Sequence, residues 1–389
     1  MKRILVLSYY FNPDLSAGSF RNTALVHELA KYARENISIH VITTQPNRYK
    51  SFSDQAPKSE KIGNVTIDRV KVPPHSNGFI DQIRSYLVYY ARAMQLVVGK
   101  YDIVYASSSR LFTAYLGKRI ASRKDAVLYL DIRDIFVETM DEVLKKFSFG
   151  KKWILKIIHQ FVEKPTFRSA AHINLVSEGF MSYFKEYSQA NYSFFPNGID
   201  DAFMNITQKK NLPERPKIIT YAGNIGEGQG LEKIIPEAAQ LLGDDYFFQV
   251  IGDGGTRKLL ENKIKKLNLS NVKVYSPVKR DKILQIYRES HYLFLHLNDY
   301  KAFEKVLPSK LFEYAASNIP VIAGVAGHSA KFVEENIDNY ILFKPCQVED
   351  FVAKLKSSTY YTVEREEFKN KYSRKRITQN LVQSIISYL

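Results

Sequence analysis

A single cysteine, Cys346, stands among 389 residues. One thiol excludes a disulfide framework and a cysteine-rich zinc site, and it points to a reducing compartment. No uninterrupted apolar run is long enough to span a bilayer. The opening MKRILVLSYYF has too short an apolar stretch for a secretory leader and runs straight into a turn, so it reads as a first strand. A cytoplasmic protein is therefore expected. Zinc-finger spacing, a basic zipper and an aromatic RNA-binding signature are also missing, which argues against nucleic acid as the partner of a chain with a formal charge of +16. Two other anions remain for that charge, a phosphorylated substrate and an anionic membrane face.

What is present is an alternation. Hydrophobic residues make up 45% and charged ones 25%, as in a folded globular protein, and the length suffices for two domains with full cores. RILVLSYY, SIHVITTQ, DIVYASS, AVLYLDIRD and AHINLVS read as buried strands, separated by longer helical patterns such as SFRNTALVHELAKYAREN. After a break at FFPNGIDDAF and the polar NITQKKNLPERPK, the rhythm restarts with IITYAGN, YFFQVIGDG, NVKVYSP, YLFLHLN, IPVIAG and YILFKP. This predicts an α/β protein of two doubly wound, Rossmann-like domains facing a central cleft, with ligands at the carboxyl ends of their strands. The expected division is 1–197, 198–372 and a C-terminal helix over 373–389 placed to pack back on the first domain.

Several stretches at those strand ends can carry chemistry. In FNPDLSAGSFRN, Ser16, Ala17, Gly18 and Ser19 are small enough for main chain to approach a ligand, and Arg21 adds a charge on the next turn. An ordinary βα turn would look the same. YAGNIGEGQGLEKII, with Gly223, Gly226, Gly228 and Gly230, can wrap a diphosphate, although it is neither a Walker loop nor a dinucleotide fingerprint. VIGDGGTRKLLE places Gly252 before a turn, and in YSPVKRDKI Pro277 and Val278 offer main-chain groups as a platform for a planar base.

The strongest local pattern is VLPSKLFEYAASNIPVIAG. Pro308 suits the first helical position, where a missing N–H costs nothing. Beyond Ser309, the N–H groups of Lys310 and Leu311 then lack intrahelical partners, and Lys310 adds an ammonium. Glu313, one turn on, can accept from vicinal hydroxyls such as those of a ribose. Asn318 is expected in the left-handed conformation that closes the helix. A well-capped surface helix is the plainer reading of the same residues.

DIRDIFVE offers Asp131, Arg133, Asp134 and Glu138 at another strand end, as groups that orient an acceptor hydroxyl or hold an acceptor phosphate. An Arg–Asp pair shaping a loop is the alternative. Ser107 to Ser109 lie on a neighbouring loop. No clustered Asp-x-Asp stands among these candidates, so a metal is not expected. From Val143 to Lys164, VLKKFSFGKKWILKIIHQFVEK carries six lysines and one glutamate. Trp153, Ile154, Ile157, Ile158, Phe161 and Val162 share one helical face, and Lys151, Lys152, Lys156, His159 and Gln160 the other. That pattern fits an in-plane anchor on an anionic membrane, or else a helix packed on its own domain.

Taken in order, FFPNGIDDAF, YAGNIGEGQGLEKIIPEA, VIGDGGTRKLLE and LPSKLFEYAASNIPVIAG resemble the retaining nucleotide-sugar glycosyltransferases of family 4, of two-domain GT-B architecture, over essentially the whole chain. LDIRDIFVETM resembles a segment of a subgroup that builds bacterial surface polysaccharides and includes N-acetyl-L-fucosamine transferases. The resemblance implies transfer of a sugar, an N-acetylated amino sugar, from a UDP-sugar donor to a polyprenyl-diphosphate-linked saccharide in O-antigen or capsule synthesis. It implies retention at the anomeric carbon, no cofactor, and work at the inner face of the cell membrane. Residue by residue, Glu313 corresponds to the family's ribose-binding glutamate. The family's other motif glutamate falls on Lys305, with Glu304 one place away. The family's phosphate-binding Arg and Lys are replaced by Asn224 and Gln229, which leaves Lys310, Arg257 and Lys279 to meet the diphosphate. Asp134, Arg133, Glu304 and Lys310 are thus the catalytic candidates, and Ser16, Arg21, Asp131 and Glu138 the acceptor-side ones. Two rivals share these features: a sugar-nucleotide epimerase of the same two-domain form, and a non-catalytic nucleotide-sugar-binding protein.

Overall fold

A computed structural model describes residues 1–14, 16–33, 36–47, 56–73, 79–108, 111–144 and 152–389. The short β-branched runs form strands: β1 (Lys2–Leu7), β2 (Ile37–Thr44), β3 (Ser59–Ile62), β4 (Val65–Val70), β5 (Ile103–Ser108), β6 (Val127–Ile132), β7 (His172–Leu175) and β8 (Asn191–Ser193). They make one sheet in the order β3-β4-β2-β1-β5-β6-β7-β8, parallel except for the β3–β4 hairpin. Between them run α1 (Ala17–Ala33), α2 (Phe79–Leu96), α3 (Leu111–Lys124), α4 (Phe136–Leu144), α5 (Lys152–Ile158), α6 (Lys164–Arg168) and α7 (Met181–Phe184). A π-helical turn, His159–Glu163, joins α5 to α6.

The second sheet holds β9 (Lys217–Asn224), β10 (Tyr246–Asp253), β11 (Val272–Tyr275), β12 (Tyr292–His296), β13 (Val321–Gly324) and β14 (Tyr340–Phe343), all parallel, in the order β11-β10-β9-β12-β13-β14. Strand order reverses between β9 and β12, and in such sheets ligands bind outside the carboxyl ends at that point. The helices here are α8 (Leu231–Leu242), α9 (Arg257–Lys266), α10 (Arg280–Arg288), α11 (Ser309–Ala315), α12 (Gly327–Asn336), α13 (Val348–Ser357) and α14 (Glu366–Tyr372). One apolar layer gathers Leu311, Phe312, Phe332 and Phe368, and another gathers Ile234, Ile235, Phe351 and Leu355. The sheet is thus covered on both faces, as buried parallel strands require.

Residues 198–374 form one compact unit, and 1–197 with 375–389 form the other. The last helix, α15 (Arg374–Ile386), brings Leu381, Val382 and Ile385 into the core of the first unit with Ile4, Val6 and Tyr105. Ser384 and Tyr129 share a hydrogen bond at 2.9 Å, and Gln379 donates to Glu28 at 3.1 Å. The sequence reading overlooked β3, β4 and β8. The β3–β4 hairpin turns at Gly63, whose φ of 60° is the left-handed conformation that a tight turn needs.

Since Leu381 is 1% exposed in that core, Leu381→Ala should cost roughly 2–5 kcal/mol, the usual price of a leucine-sized cavity. Denaturant unfolding followed by a probe in residues 1–197 checks it.

Candidate functional site

In the second unit, β9 and β10 stay in register to their last residues, Gly252 opposite Gly223 and Asp253 opposite Asn224. A Cβ on Gly252 would lie 1.8 Å from the carbonyl oxygen of Gly223, so no side chain fits there. The loop after β9 is held by its carbonyls from the β12 side. Asn298 Nδ2 donates to Glu227 O at 2.7 Å, Asn298 N to Gly228 O at 2.9 Å, and His296 Nδ1 to Gln229 O at 2.6 Å. His296 Nε2 accepts from Cys346 N at 2.9 Å, so both ring nitrogens are used by a neutral imidazole. Burial pushes the pKa of His296 down to about 4. Gly230 precedes α8 at φ 56°, with Asn298 too close for a free Cβ. Asn224 donates to Gln229 Oε1 at 2.8 Å, and the pair closes over Gly226. The two residues that stand where the resemblance expected cations therefore brace the loop.

Above the end of β9 lies α11. The Lys310 side chain passes within 3.7 Å of where a Cβ on Gly223 would be, and its ammonium donates to Glu313 Oε2 at 2.7 Å. Burial works against the ammonium, but the Glu313 carboxylate outweighs it and holds Lys310 above the ordinary lysine range. The Lys310 and Glu313 side chains keep 29% and 15% of their surface exposed, so the pair remains accessible.

Three expectations about this helix need correction. Pro308 is the N-cap, with ψ 133°, because α11 starts at Ser309. The Leu311 N–H is not free; it donates to Pro308 O at 3.1 Å in a tight first turn. Asn318 is not left-handed; it is buried and accepts from Gln208 N at 2.8 Å. The turn after α11 is held instead by the buried Arg365, which donates to the carbonyls of Ser317 and Ile319.

Of the other donor-side candidates, Arg257 starts α9 and donates to Gly252 O at 3.1 Å and to Glu261 Oε1 at 2.8 Å. Val278 is 36% exposed, and Lys279 caps α10. Glu304 lies on a 3-10 turn, Lys301–Lys305, and is exposed, with its backbone against Gly327. Sequence reasoning missed Asp200. Its carboxylate pairs with Arg280 and with Arg374 at 2.6 Å; burial raises its pKa, but the two guanidiniums hold it below the usual carboxylate range.

In the first unit, Arg21 donates to both oxygens of Asp131, at 3.0 and 2.9 Å, and to the carbonyls of Phe195 and Pro196. Asn174 adds a bond to Asp131 at 2.7 Å, and the Arg21 and Asp131 side chains are 5% and 0% exposed. Burial opposes the carboxylate, and Arg21 outweighs it, so Asp131 stays below its ordinary range. Both residues were expected to meet an acceptor; enclosed and satisfied, they brace the unit from within. Ser16 is likewise a cap, accepting from Ser19 N at 3.1 Å ahead of α1. The space before Gly18 is filled by the Arg133 guanidinium, 2.1 Å from a Cβ there, so two loops singled out separately in the sequence meet. Asp134 is exposed and accepts from Thr139 Oγ1 at 3.0 Å, and Glu138 lies in the first turn of α4. Ser107 and Ser108 are buried, and Ser109 lies outside the described residues.

Among the described residues of the basic segment, 152–164 wind without a break through α5, the π-turn and the start of α6. Residues 145–151, with Lys145, Lys146 and Lys151, lie outside the described part. In α5 and the π-turn the apolar stripe faces outward: Trp153 is 61%, Ile154 42%, Ile157 45% and Phe161 68% exposed, while Leu155 is buried. Among the described residues no helix is long and apolar enough to cross a membrane.

Residues 203–375 match the family model described as Glycosyl transferases group 1. That match falls on the second compact unit. WcaI of Escherichia coli (strain K12), described as a colanic acid biosynthesis glycosyl transferase, is 28% identical over 236 residues, 58% of this chain and 56% of that protein. The chain thus spans little more than half the length of the curated relative it matches. Among solved structures, Anabaena Alr3699/HepE in complex with UDP and glucose superposes with a TM-score of 0.67 at 15% identity, covering 100% of both chains. The trehalose-6-phosphate synthase OtsA gives 0.69 at 12%, covering 99% of each, and the lipopolysaccharide outer core galactosyltransferase WaaB 0.60 at 13%, covering 100% of each. The fold is that of GT-B glycosyltransferases.

The buried His296 makes the unit that holds the loop after β9 sensitive to acid. A histidine at about 4 in the folded state and near 6.5 when unfolded favours folding above pH 6.5. That contribution, roughly 3 kcal/mol, is lost as the pH falls to about 4. Unfolding midpoints between pH 7 and 4 should drop accordingly, and His296→Gln should flatten the slope.

Proposed function

We propose that the protein is a retaining glycosyltransferase that moves a sugar, an N-acetylated amino sugar, from a UDP-sugar to a lipid-linked saccharide in bacterial surface polysaccharide synthesis. The observation that carries the reading is the accessible Lys310–Glu313 pair over the bare end of β9, inside the segment that matches the group 1 family. The UDP bound in the Anabaena structures and the colanic acid biosynthesis assigned to WcaI support it.

In this reading the uracil rests near Val278, the ribose hydroxyls donate to Glu313, and the diphosphate lies along Gly223 to Gln229 within reach of Lys310. The bond from the anomeric carbon to the diphosphate oxygen breaks, and charge gathers on the leaving group. The Lys310 ammonium and main-chain amides stabilise that charge, which is where such groups lower a barrier. The acceptor hydroxyl attacks from the same face and passes its proton to the departing phosphate, so no protein base is required. Arg133 and Asp134 orient the acceptor. No metal ion is assigned a part.

The outward stripe of α5 adds a membrane. Trp153, Ile154, Ile157 and Phe161, beside Lys156, form an apolar edge with basic flanks that suits an anionic inner leaflet, where a polyprenyl-diphosphate acceptor would be met.

Calorimetry with UDP, followed by transfer assays with a panel of UDP-sugars and a lipid-linked acceptor, tests the reading. Glu313→Ala should weaken UDP binding about tenfold, the scale of hydrogen bonds to a charged group; unchanged affinity would remove Glu313 from the site. Replacing Trp153 and Phe161 together by Ser should cut partition onto anionic vesicles at least about tenfold and leave UDP affinity as it was.

A further inference from the structure

The loop over 226–230, GEGQG, carries only two side chains. Gln229 is taken up by Asn224, and Glu227 by the Tyr300 hydroxyl, which donates to its Oε1. A carboxylate in a loop read as the seat of a diphosphate repels that anion unless it is held to one side. The main chain around it is set by the buried Asn298. Asn298 Oδ1 accepts from Lys233 Nζ at 2.7 Å and from Asp299 N at 3.0 Å, which leaves its NH2 for the Glu227 carbonyl. The Lys233 ammonium also lies 5.8 Å from the centre of the Tyr300 ring, within reach of a cation–π contact.

Tyr300 itself has a firm base. Its N–H donates to Asn298 O at 2.8 Å and its carbonyl accepts from Phe303 N at 2.8 Å, at the entry to the 3-10 turn Lys301–Lys305. The Phe303 ring sits 5.3 Å from that of Tyr300 and packs on the apolar layer that includes Leu311 and Phe312. Its edge meets Gly228, where a Cβ would lie 3.2 Å from Phe303 Cζ. The far end of the turn is pinned by Ser329, whose hydroxyl donates to Val306 O. Loop and turn thus meet at two places, a hydrogen bond at Glu227 and a ring against bare main chain at Gly228.

We propose that Tyr300 is a positioning residue for the diphosphate: its hydroxyl holds the Glu227 carboxylate on the β12 side, and the loop with it. The inference rests on the reading of 223–229 as the diphosphate seat. Tyr300→Phe keeps the ring and releases the carboxylate. It should weaken UDP binding, measured by calorimetry, about tenfold, the scale of a lost hydrogen bond to a charged group. Glu227→Gln alone should bind UDP at least as well as the wild type, because its amide carries no charge. In that background Tyr300→Phe should cost far less, a coupling that residues in contact show. Hydrogen exchange at 225–231 should speed up in Tyr300→Phe, while β14 keeps its wild-type rate. Equal losses of UDP affinity in the two backgrounds would overturn the proposal, as would unaltered exchange at 225–231. A wild type that binds no UDP would sink the functional reading and this role together, whereas undiminished UDP binding by Tyr300→Phe would sink this role alone.

Discussion

A glycine pair at the ends of two neighbouring strands sets the terms for the second unit. Where β9 and β10 end, a methyl group on Gly252 would collide with the carbonyl oxygen of Gly223. The Lys310 side chain lies across the strand end at Gly223, and its ammonium meets Glu313 of the same helix. The loop beyond is anchored at its start by the buried Ile225. It is held by hydrogen bonds to three successive carbonyls, those of Glu227, Gly228 and Gln229, from residues at the end of β12. Fastening a loop by its carbonyls leaves its shape defined and its other face unencumbered, which is what preorganised binding of an anion needs.

The first unit solves the same problem with charge. Arg21 spends its donors on Asp131 and on two carbonyls of the segment leaving the unit, and Asp131 takes a further bond from Asn174. A buried ion pair gives little net stability against an apolar alternative, but losing one partner leaves an uncompensated charge, so the arrangement tolerates little variation. The buried pair fixes where neighbouring chain runs.

The alternation of strands and helices was legible because parallel strands buried on both faces are continuous β-branched runs. β3 and β8 were not, because they are short edge strands, nor was β4, which alternates buried and half-buried residues just inside β3, and only the Ile-Gly-Asn at Gly63 announced a turn. Lys310 and Glu313 could be read from helical spacing alone. Arg21 and Asp131 were found as charged residues at strand ends and given the wrong task, since nothing local distinguishes a carboxylate facing solvent from one enclosed by an arginine 110 residues away. His296 was missed for a related reason. Its role comes from Gln229 and Cys346, neither adjacent in sequence. Asn318 precedes an Ile-Pro step and looked like a helix stop, but a side-chain bond to Gln208 and the nearby Arg365 hold that turn without a left-handed residue.

The pairing of Lys310 with Glu313 bears on how a donor could enter. An ammonium has three donors and a carboxylate several acceptor sites, while the pair uses one contact at Oε2. A diphosphate arriving over Gly223 can therefore recruit Lys310, and ribose hydroxyls can recruit Glu313, without breaking the bond between them. Before binding, the pair neutralises itself, so neither charge sits half-buried and uncompensated. In the proposed reading, the phosphate's charge and the ribose hydroxyls would add to an arrangement already in place, and little side-chain entropy would remain to be lost. Arginine at 310 would be a poorer choice despite its stronger fork. A bidentate grip on Glu313 would occupy both carboxylate oxygens and hold the guanidinium plane away from the phosphate. A compact, rotatable cation one turn before the acid is the chemistry that can serve a sugar and a diphosphate at once.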